Sequence, residues 1–275
     1  MEMSTELLGI IMLIFLLVMI FALIFGYIGL GSMTFDLMVM QTFGMMQEEV
    51  LAAVPLFIFM GYITEQAELM ERLFKAFRVL LAPLKGSLYL GVILTATIFA
   101  MATGIVGAAV TVLGIMAAPI MIKCGYNPRL SAGAIAAGGT LGILIPPSVM
   151  LIVMGPVLGV SVAKLYAAAF GPGFLLASMY IAYLLIRSYL NPKLGPPLPM
   201  EERLASNREK LLEFLAGMVP LGVLILGTLG SILGGLATPT EAASIGSLGA
   251  LVLALAYRKL TWEKFRKAAI GTLQT

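Results

Sequence analysis

The residues of this chain best placed to do chemistry are two adjacent prolines and the serine that follows them. Pro146, Pro147 and Ser148 stand at the middle of a 34-residue stretch, Leu130 to Ala163, that contains no Asp, Glu, Lys or Arg. A proline brings no amide hydrogen to a helix, so Pro146 and Pro147 leave the carbonyls of Gly142 and Ile143 without helical partners and disfavour helix at Ile145. Freed carbonyl oxygens are hard ligands suited to a cation. A half-helix that starts after the prolines, near Ser148, turns its positive N-terminal end toward any anion in the same space. A second breaker, Thr103-Gly104, sits at the middle of another charge-free stretch, Gly86 to Ile122, of 37 residues. Gly104 and Gly107 supply permissive backbone and Thr103 a hydroxyl, which a turning helical tip needs.

The elements that must position these residues follow from composition and length. Hydrophobic residues make up 60% of the chain and charged ones 11%, with a mean hydropathy of +1.04, a balance that no water-soluble core could hide. The other charge-free stretches, Leu7 to Phe35, Leu165 to Ile186 and Phe214 to Thr240, exceed the roughly 18 residues that mark a candidate span. Gly86 to Ile122 as one helix would reach about 55 Å and Leu130 to Ala163 about 51 Å, against a hydrocarbon core of about 30 Å. Both must break or turn back. Glycine and proline also make simple kinks in membrane helices, but here they fall at the midpoints of over-long runs. Irregular backbone is tolerated at membrane depth only against protein or a water-filled cavity, so two such breaks imply an internal polar site, the pattern of a transporter. The fold class expected is therefore an all-α, multi-span integral membrane protein with a re-entrant helical hairpin and a Pro-broken helix.

Composition also excludes. With no histidine and the single cysteine Cys124, zinc or iron sites of ordinary ligand type and an intramolecular disulfide are ruled out. The net charge of +3 arises from clusters between spans, Arg72 to Lys85 and Arg258 to Lys267, which read as lipid-facing ends and not as a nucleic-acid footprint. Basic residues occur in nearly every loop, so charge alone leaves the orientation open. No Walker A motif, nucleophile elbow or dinucleotide fingerprint occurs, so the chain is expected to be no enzyme, to need no cofactor, and to draw any uphill transport from an ion gradient.

Along the chain, the sequence divides into 1–48, an N-terminal span and a Met-rich short helix; 49–190, a first transport repeat; 191–257, a surface connection with scaffold spans; and 258–275, the start of a further repeat. Acidic Glu2 and Glu6 before a long apolar run argue against a cleaved leader. Asn191 to Met200 holds four prolines and leads into mixed charges up to Glu213, a surface connection. Glu65 to Lys85 reads as a charged amphipathic helix, and Trp262 and Lys264 suit an interfacial one. Thr238-Pro239-Thr240-Glu241 has the form of a capping box with proline at the first helical position. The pairs Gly138/Gly142, Gly155/Gly159 and Gly230/Gly234 have the spacing that lets helices approach closely.

The strings Val54-Pro55-Leu56-Phe57-Ile58-Phe59-Met60-Gly61, Ala102-Thr103-Gly104, Cys124-Gly125-Tyr126-Asn127-Pro128, Gly138-Gly139-Thr140-Leu141-Gly142-Ile143-Leu144-Ile145-Pro146-Pro147-Ser148 and Pro239-Thr240-Glu241-Ala242-Ala243 together resemble the large membrane subunit of TRAP transporters, the DctM type. The resemblance covers essentially the whole chain. It implies a sodium-driven importer of organic acids such as C4-dicarboxylates, in a bacterial or archaeal cytoplasmic membrane. The implied architecture is an elevator built from two inverted repeats, as in the ion-transporter superfamily. The implied partners are a small DctQ-type membrane subunit and a DctP-type periplasmic binding protein. Mapped onto this chain, the first hairpin tip falls on Thr103 and Gly104 and the first broken helix on Gly138, Gly139, Thr140, Gly142, Ile143, Pro146, Pro147 and Ser148, with sodium held through backbone carbonyls near Gly142 and Ile143. Two departures stand out. Ile105 and Val106 follow Gly104 where the family's tip is often richer in serine, and the second hairpin and second Pro-Pro break have no counterpart before Thr275, as in the N-terminal part of a longer subunit. A non-transporting membrane scaffold and a sodium/carboxylate carrier independent of a binding protein are the other readings.

Overall fold

The computed structural model describes residues 5–104, 106–198 and 207–275; expectations that rest on Ile105, on Glu2 or on residues 199–206 lie outside them. Every regular element among the described residues is helical, and the chain divides into two compact units, Met1–Glu48 and Glu49–Thr275.

In the first unit, α1 (Thr5–Leu30) turns at Gly31, whose φ of +62° only glycine adopts without cost, into α2 (Met33–Met46). Gly26 lets the two helices close on each other, since a Cβ there would lie 2.8 Å from the Thr34 methyl. Leu16, Phe21, Phe25 and Ile28 of α1 are all exposed, the surface of a helix meant for an apolar solvent.

The second unit opens with a 3₁₀ turn (Glu49–Ala52), α3 (Ala53–Gln66) and α4 (Leu69–Leu81). The amphipathic reading of Glu65 to Lys85 holds: α4 buries Leu69, Met70, Leu73, Phe74, Ala76 and Phe77 and exposes Glu71 and Lys75. Next come α5 (Ser87–Thr103) and α6 (Val106–Lys123), then α7 (Pro128–Leu144), α8 (Val149–Leu158) and α9 (Val162–Leu190). After the connection follow α10 (Asn207–Ile225), a π-helical turn (Leu226–Gly230), the short α11 (Ser231–Leu233), α12 (Pro239–Ala256) and α13 (Trp262–Gln274). Five described segments are long and apolar enough to cross a membrane, by length and composition: Glu49–Gln66, Pro128–Leu158, Val162–Leu190, Lys210–Leu233 and Pro239–Ala256.

α5 is the hub. It is uncharged and apolar on every side, so it must be surrounded, and from Ser87 to Ala102 only the stripe Leu90, Leu94 and Met101 is less than fully buried. Two apolar cores meet on it. Ile98 and Ala102 join a core built with α3, α10 and α12, while Val92, Ile93, Ala96 and Phe99 join one built with α6, α7 and α9.

Several expectations are refined by packing. Among the described residues α10 covers Asn207–Ile225, so Arg208, Lys210 and Glu213 lie on a helix and not in the surface connection. The capping box is formed, with Thr238 Oγ1 accepting from the Glu241 amide and the Glu241 carboxylate accepting from the Thr238 amide. Gly138 and Gly155 do permit close approach, to Ala96 and to Val162 respectively. Gly230 and Gly234 do not: a Cβ at either would meet only atoms of its own segment, because these glycines end a helix before the turn at Gly235. Some of the inter-span cations also serve the protein itself: Lys75 pairs with Glu213, Lys259 and Lys264 with Glu68, and Arg72 lies 4.2 Å from the centre of the Tyr257 ring.

Candidate ion and substrate site

The 37-residue run does not form one helix. α5 ends at Thr103, Gly104 takes φ +62° while its amide caps the helix on the Ala100 carbonyl at 3.0 Å, and α6 begins at Val106. The two arms return to the same end. There the Tyr126 hydroxyl accepts from the Leu88 amide at 3.2 Å, lies 3.3 Å from Ser87 Oγ, and the Tyr126 ring meets Tyr89 edge-on at 4.8 Å. The connection after α9 seals that end: the Gly195 and Leu194 carbonyls accept from the Gly86 and Asn127 amides, and Tyr89 Oη donates to Leu194. These contacts define a helical hairpin with its tip at Gly104.

The 34-residue run is broken where its prolines stand. Asn127 caps α7 through Leu130, with Pro128 in the first turn, and α7 stops at Leu144. Ile145 and Ser148 are extended, the Pro146–Pro147 bond is cis, and α8 starts at Val149. The Ile145 amide still reaches the Leu141 carbonyl at 2.8 Å, but the next two positions have no amide hydrogen, so the Gly142 and Ile143 carbonyls lose their helical partners. Ile145 through Ser148 are buried, and the Ser148 hydroxyl has no hydrogen-bond partner.

These two irregular segments touch. A Cβ on Gly104 would sit 2.4 Å from the Pro147 carbonyl oxygen and 3.5 Å from Ser148 Cα. Four helix ends therefore converge: the negative C-terminal ends of α5 and α7, and the positive N-terminal ends of α6 and α8. Tyr166 of α9, fully buried, points its hydroxyl at the Ser148 carbonyl at 3.5 Å, and Gly173 admits the Ile145 side chain, whose Cγ1 would lie 2.8 Å from an added Cβ.

Of the residues expected at the site, Gly104, Pro146, Pro147 and Ser148 are brought together, with Gly142 and Ile143 one turn before them. Thr103 supplies the last helical residue of α5. Gly138 and Gly139 serve a different purpose. A Cβ on Gly138 would lie 3.0 Å from Ala96 Cβ and one on Gly139 2.0 Å from Val110 Cγ2, so these glycines let α7 seat against both arms of the hairpin. The Thr140 side chain is not brought in; its hydroxyl donates to its own helix at Ala137 on an exposed face. Tyr166 and Gly173 were missed. The only signal was a tyrosine and a Gly-Pro-Gly within a long apolar helix, and neither marks a partner in sequence. Buried Thr95, unpartnered on the Ile98 and Ala102 side of α5, was missed as well.

The available ligands are neutral oxygens. No Asp or Glu occurs between Arg72 and Met200, and no cluster of three His, Cys, Asp or Glu is present among the described residues. Divalent ions in proteins are held largely by carboxylates. Carbonyls, a hydroxyl and helix dipoles suit a monovalent cation instead, with the α6 and α8 N-termini left for an anionic group.

A hairpin closing on a Pro-broken helix, among helices long enough to span a bilayer, describes a polytopic helical membrane protein with the interrupted-helix pattern of secondary transporters. Comparison with known proteins then narrows the class. The profile of "Tripartite ATP-independent periplasmic transporter, DctM component" matches residues 2–275, and the chain belongs to that family, whose members are transporter permeases and not enzymes. It is 32% identical over 223 residues to the C4-dicarboxylate TRAP transporter large permease protein DctM of Pseudomonas aeruginosa, covering 80% of this chain and 50% of that one. It is 30% identical to the ectoine TRAP transporter large permease protein TeaC of Halomonas elongata, covering 85% and 52%. With the 2,3-diketo-L-gulonate TRAP transporter large permease protein YiaN of Escherichia coli it shares 32% identity, covering 82% and 52%. The chain spans about half the length of these curated relatives.

Proposed function

We propose that this chain provides the first repeat of a sodium-coupled permease that imports organic acids across the bacterial cytoplasmic membrane. A DctP-type periplasmic binding protein delivers the substrate, and a small DctQ-type membrane subunit completes the complex. The observation that carries the reading is the contact of the Gly104 tip with the Pro147 carbonyl, which assembles four helix ends around unpartnered oxygens. Sodium binds at the α5 and α7 C-terminal ends through carbonyls near Gly142 and Ile143. The substrate carboxylate faces the N-terminal ends of α6 and α8, beside Ser148. Because the cation neutralises the dipoles that would oppose a second ligand of the wrong sign, each ligand favours the other, and a sodium gradient can drive uptake. The hairpin and broken helix re-enter the membrane together and move as one body in an elevator step. The names of the relatives, covering C4-dicarboxylate, ectoine and diketogulonate, support a small polar or anionic substrate and leave its identity to side chains beyond this core of backbone ligands.

Proteoliposomes holding the transporter with both partners, given an inward sodium gradient and a C4-dicarboxylate, test this. Accumulation that needs the gradient and the binding protein together supports it. Accumulation without the binding protein indicates an independent sodium/carboxylate carrier, no accumulation under any of these conditions indicates a scaffold, and accumulation that ignores the sodium gradient overturns the sodium coupling.

A further inference from the structure

Between α7 and α9 lies an apolar cavity of about 320 Å³, lined by Leu130, Gly133 and Ala137 on one side and Tyr180, Tyr183 and Leu184 on the other. Its walls are segments of two membrane-spanning helices, so its natural contents are apolar. Helical spacing continues both walls into arginine. Arg129 precedes Gly133 and Ala137 by one and two turns on α7, and Arg187 follows Tyr183 by one turn on α9. Both are exposed, and neither joins an ion pair among the described residues. They stand at the sealed end of the hairpin, where α5 and α7 begin and α6 and α9 finish. Lys85, Lys123 and Lys193 are placed at that same end by the same connections. The sequence from Arg72 to Met200, which supplies all five cations, contains no Asp or Glu, and none of the five joins an ion pair among the described residues.

We propose that this groove is a binding site for an anionic phospholipid, with an acyl chain between α7 and α9 and the phosphate held by Arg129 and Arg187. Charge complementarity selects the headgroup: an apolar slot alone would take any lipid, whereas paired guanidiniums favour a phosphodiester with a net negative charge. The site lies on the outer side of α7, away from the Gly104–Pro147 contact, so it is distinct from the proposed transport site and does not depend on that assignment.

The test is native mass spectrometry of the purified chain and of the assembled transporter, each offered phosphatidylglycerol or phosphatidylcholine with identical acyl chains. Two arginines near the surface are expected to give phosphatidylglycerol a preference of roughly thirtyfold. Arg129→Gln with Arg187→Gln should bring that preference close to one. Gly133→Leu should lower the retention of both lipids, because a Cβ at Gly133 meets nothing within 4 Å and the longer side chain extends into the groove. The arginine variant alters only exposed side chains and reads the proposal even if Gly133→Leu lowers stability. Equal retention of the two lipids by the parent, or a preference untouched by the arginine variant, overturns it. So does phosphatidylglycerol bound to the isolated chain but absent from the assembled transporter, which would show a protein surface filling the groove.

Discussion

Two corners of the second unit treat polar atoms in opposite ways. Where α3 and α4 meet α12 and α13, chemistry is used up by the fold. Glu68, at φ +58°, pairs with both Lys259 and Lys264; Lys264 also donates to the Gln66 carbonyl; Ser247 Oγ donates to Leu56 and Thr240 Oγ1 to Glu49. One Glu65 oxygen is the exception among these groups. Where the hairpin tip meets the broken helix, the fold has no charged group to use: it leaves the buried Ser148 hydroxyl without a partner, and the prolines deprive the Gly142 and Ile143 carbonyls of their helical amides. Unanswered buried oxygens are costly. Under the proposed function a ligand completes them, whereas the paired corner already answers most of its polar groups within the fold.

The contrast is open to direct attack. The largest effect is expected at Gly104, where any side chain meets the Pro147 carbonyl and strains a left-handed backbone. Gly104→Leu should reduce uptake by the assembled transporter by roughly a hundredfold while insertion is retained, since strain of this kind amounts to about 1–3 kcal/mol before the clash is counted. Uptake assayed at matched membrane protein levels checks it, and near-normal uptake would remove the tip from the site.

A smaller loss is expected where glycine serves packing alone. Gly139→Ala puts a methyl 2.0 Å from Val110 Cγ2, and should destabilise the chain by about 1–3 kcal/mol as overpacking does. Val110→Ala should restore most of that in the double variant. Thermal unfolding in detergent reads both, and simple additivity of the two changes would show that the contact is not made.

The smallest effect belongs to the paired corner. The Glu68 carboxyl is held below its ordinary pKa, first by the hydrogen bond from Lys259, with Lys264 adding to it and burial opposing. A carboxylate with a lowered folded-state pKa adds stability that is present above the unfolded value, near 4.5, and is lost as pH falls through the folded value. The side chain is about a third exposed, so screening limits the gain to about 0.5 kcal/mol. Glu68→Gln should lower the melting temperature slightly at pH 7, and the difference from the parent should shrink progressively as the pH falls below 4.5. A larger loss at low pH than at neutral pH would contradict the assignment.

Much of this contrast was legible in the sequence because breakers act locally and length is additive. Gly104 and Pro146-Pro147 could be placed by asking where helices of about 55 and 51 Å must fail to fit a 30 Å layer. The Thr238–Glu241 cap was legible for the same reason, since its bonds span three residues. What could not be read depends on partners far away in sequence. That Gly139 seats on Val110, that Tyr166 reaches back to Ser148, and that Glu68 waits for Lys259 at a separation of 191 residues are outcomes of helices folding onto each other. Thr140 shows the converse: its place beside Gly139 and Gly142 in sequence put it with the site, but a step of about 100° per residue carries its side chain to the exposed face of α7.

The central claim is that the carbonyls of Gly142 and Ile143 are left free for a cation because Pro146 and Pro147 have no amide to offer them. Pro146→Ala together with Pro147→Ala returns two amides, lets those carbonyls pair within a continuing helix, and turns the α8 N-terminus away from the substrate. Uptake against sodium concentration, in proteoliposomes carrying the assembled transporter at matched protein levels, measures this directly. Losing one strong cation ligand at about 1.4 kcal/mol moves the sodium dependence about tenfold to higher concentration, and that shift is the result expected. An unchanged sodium dependence and rate in the double variant would contradict the account and reduce the prolines to packing.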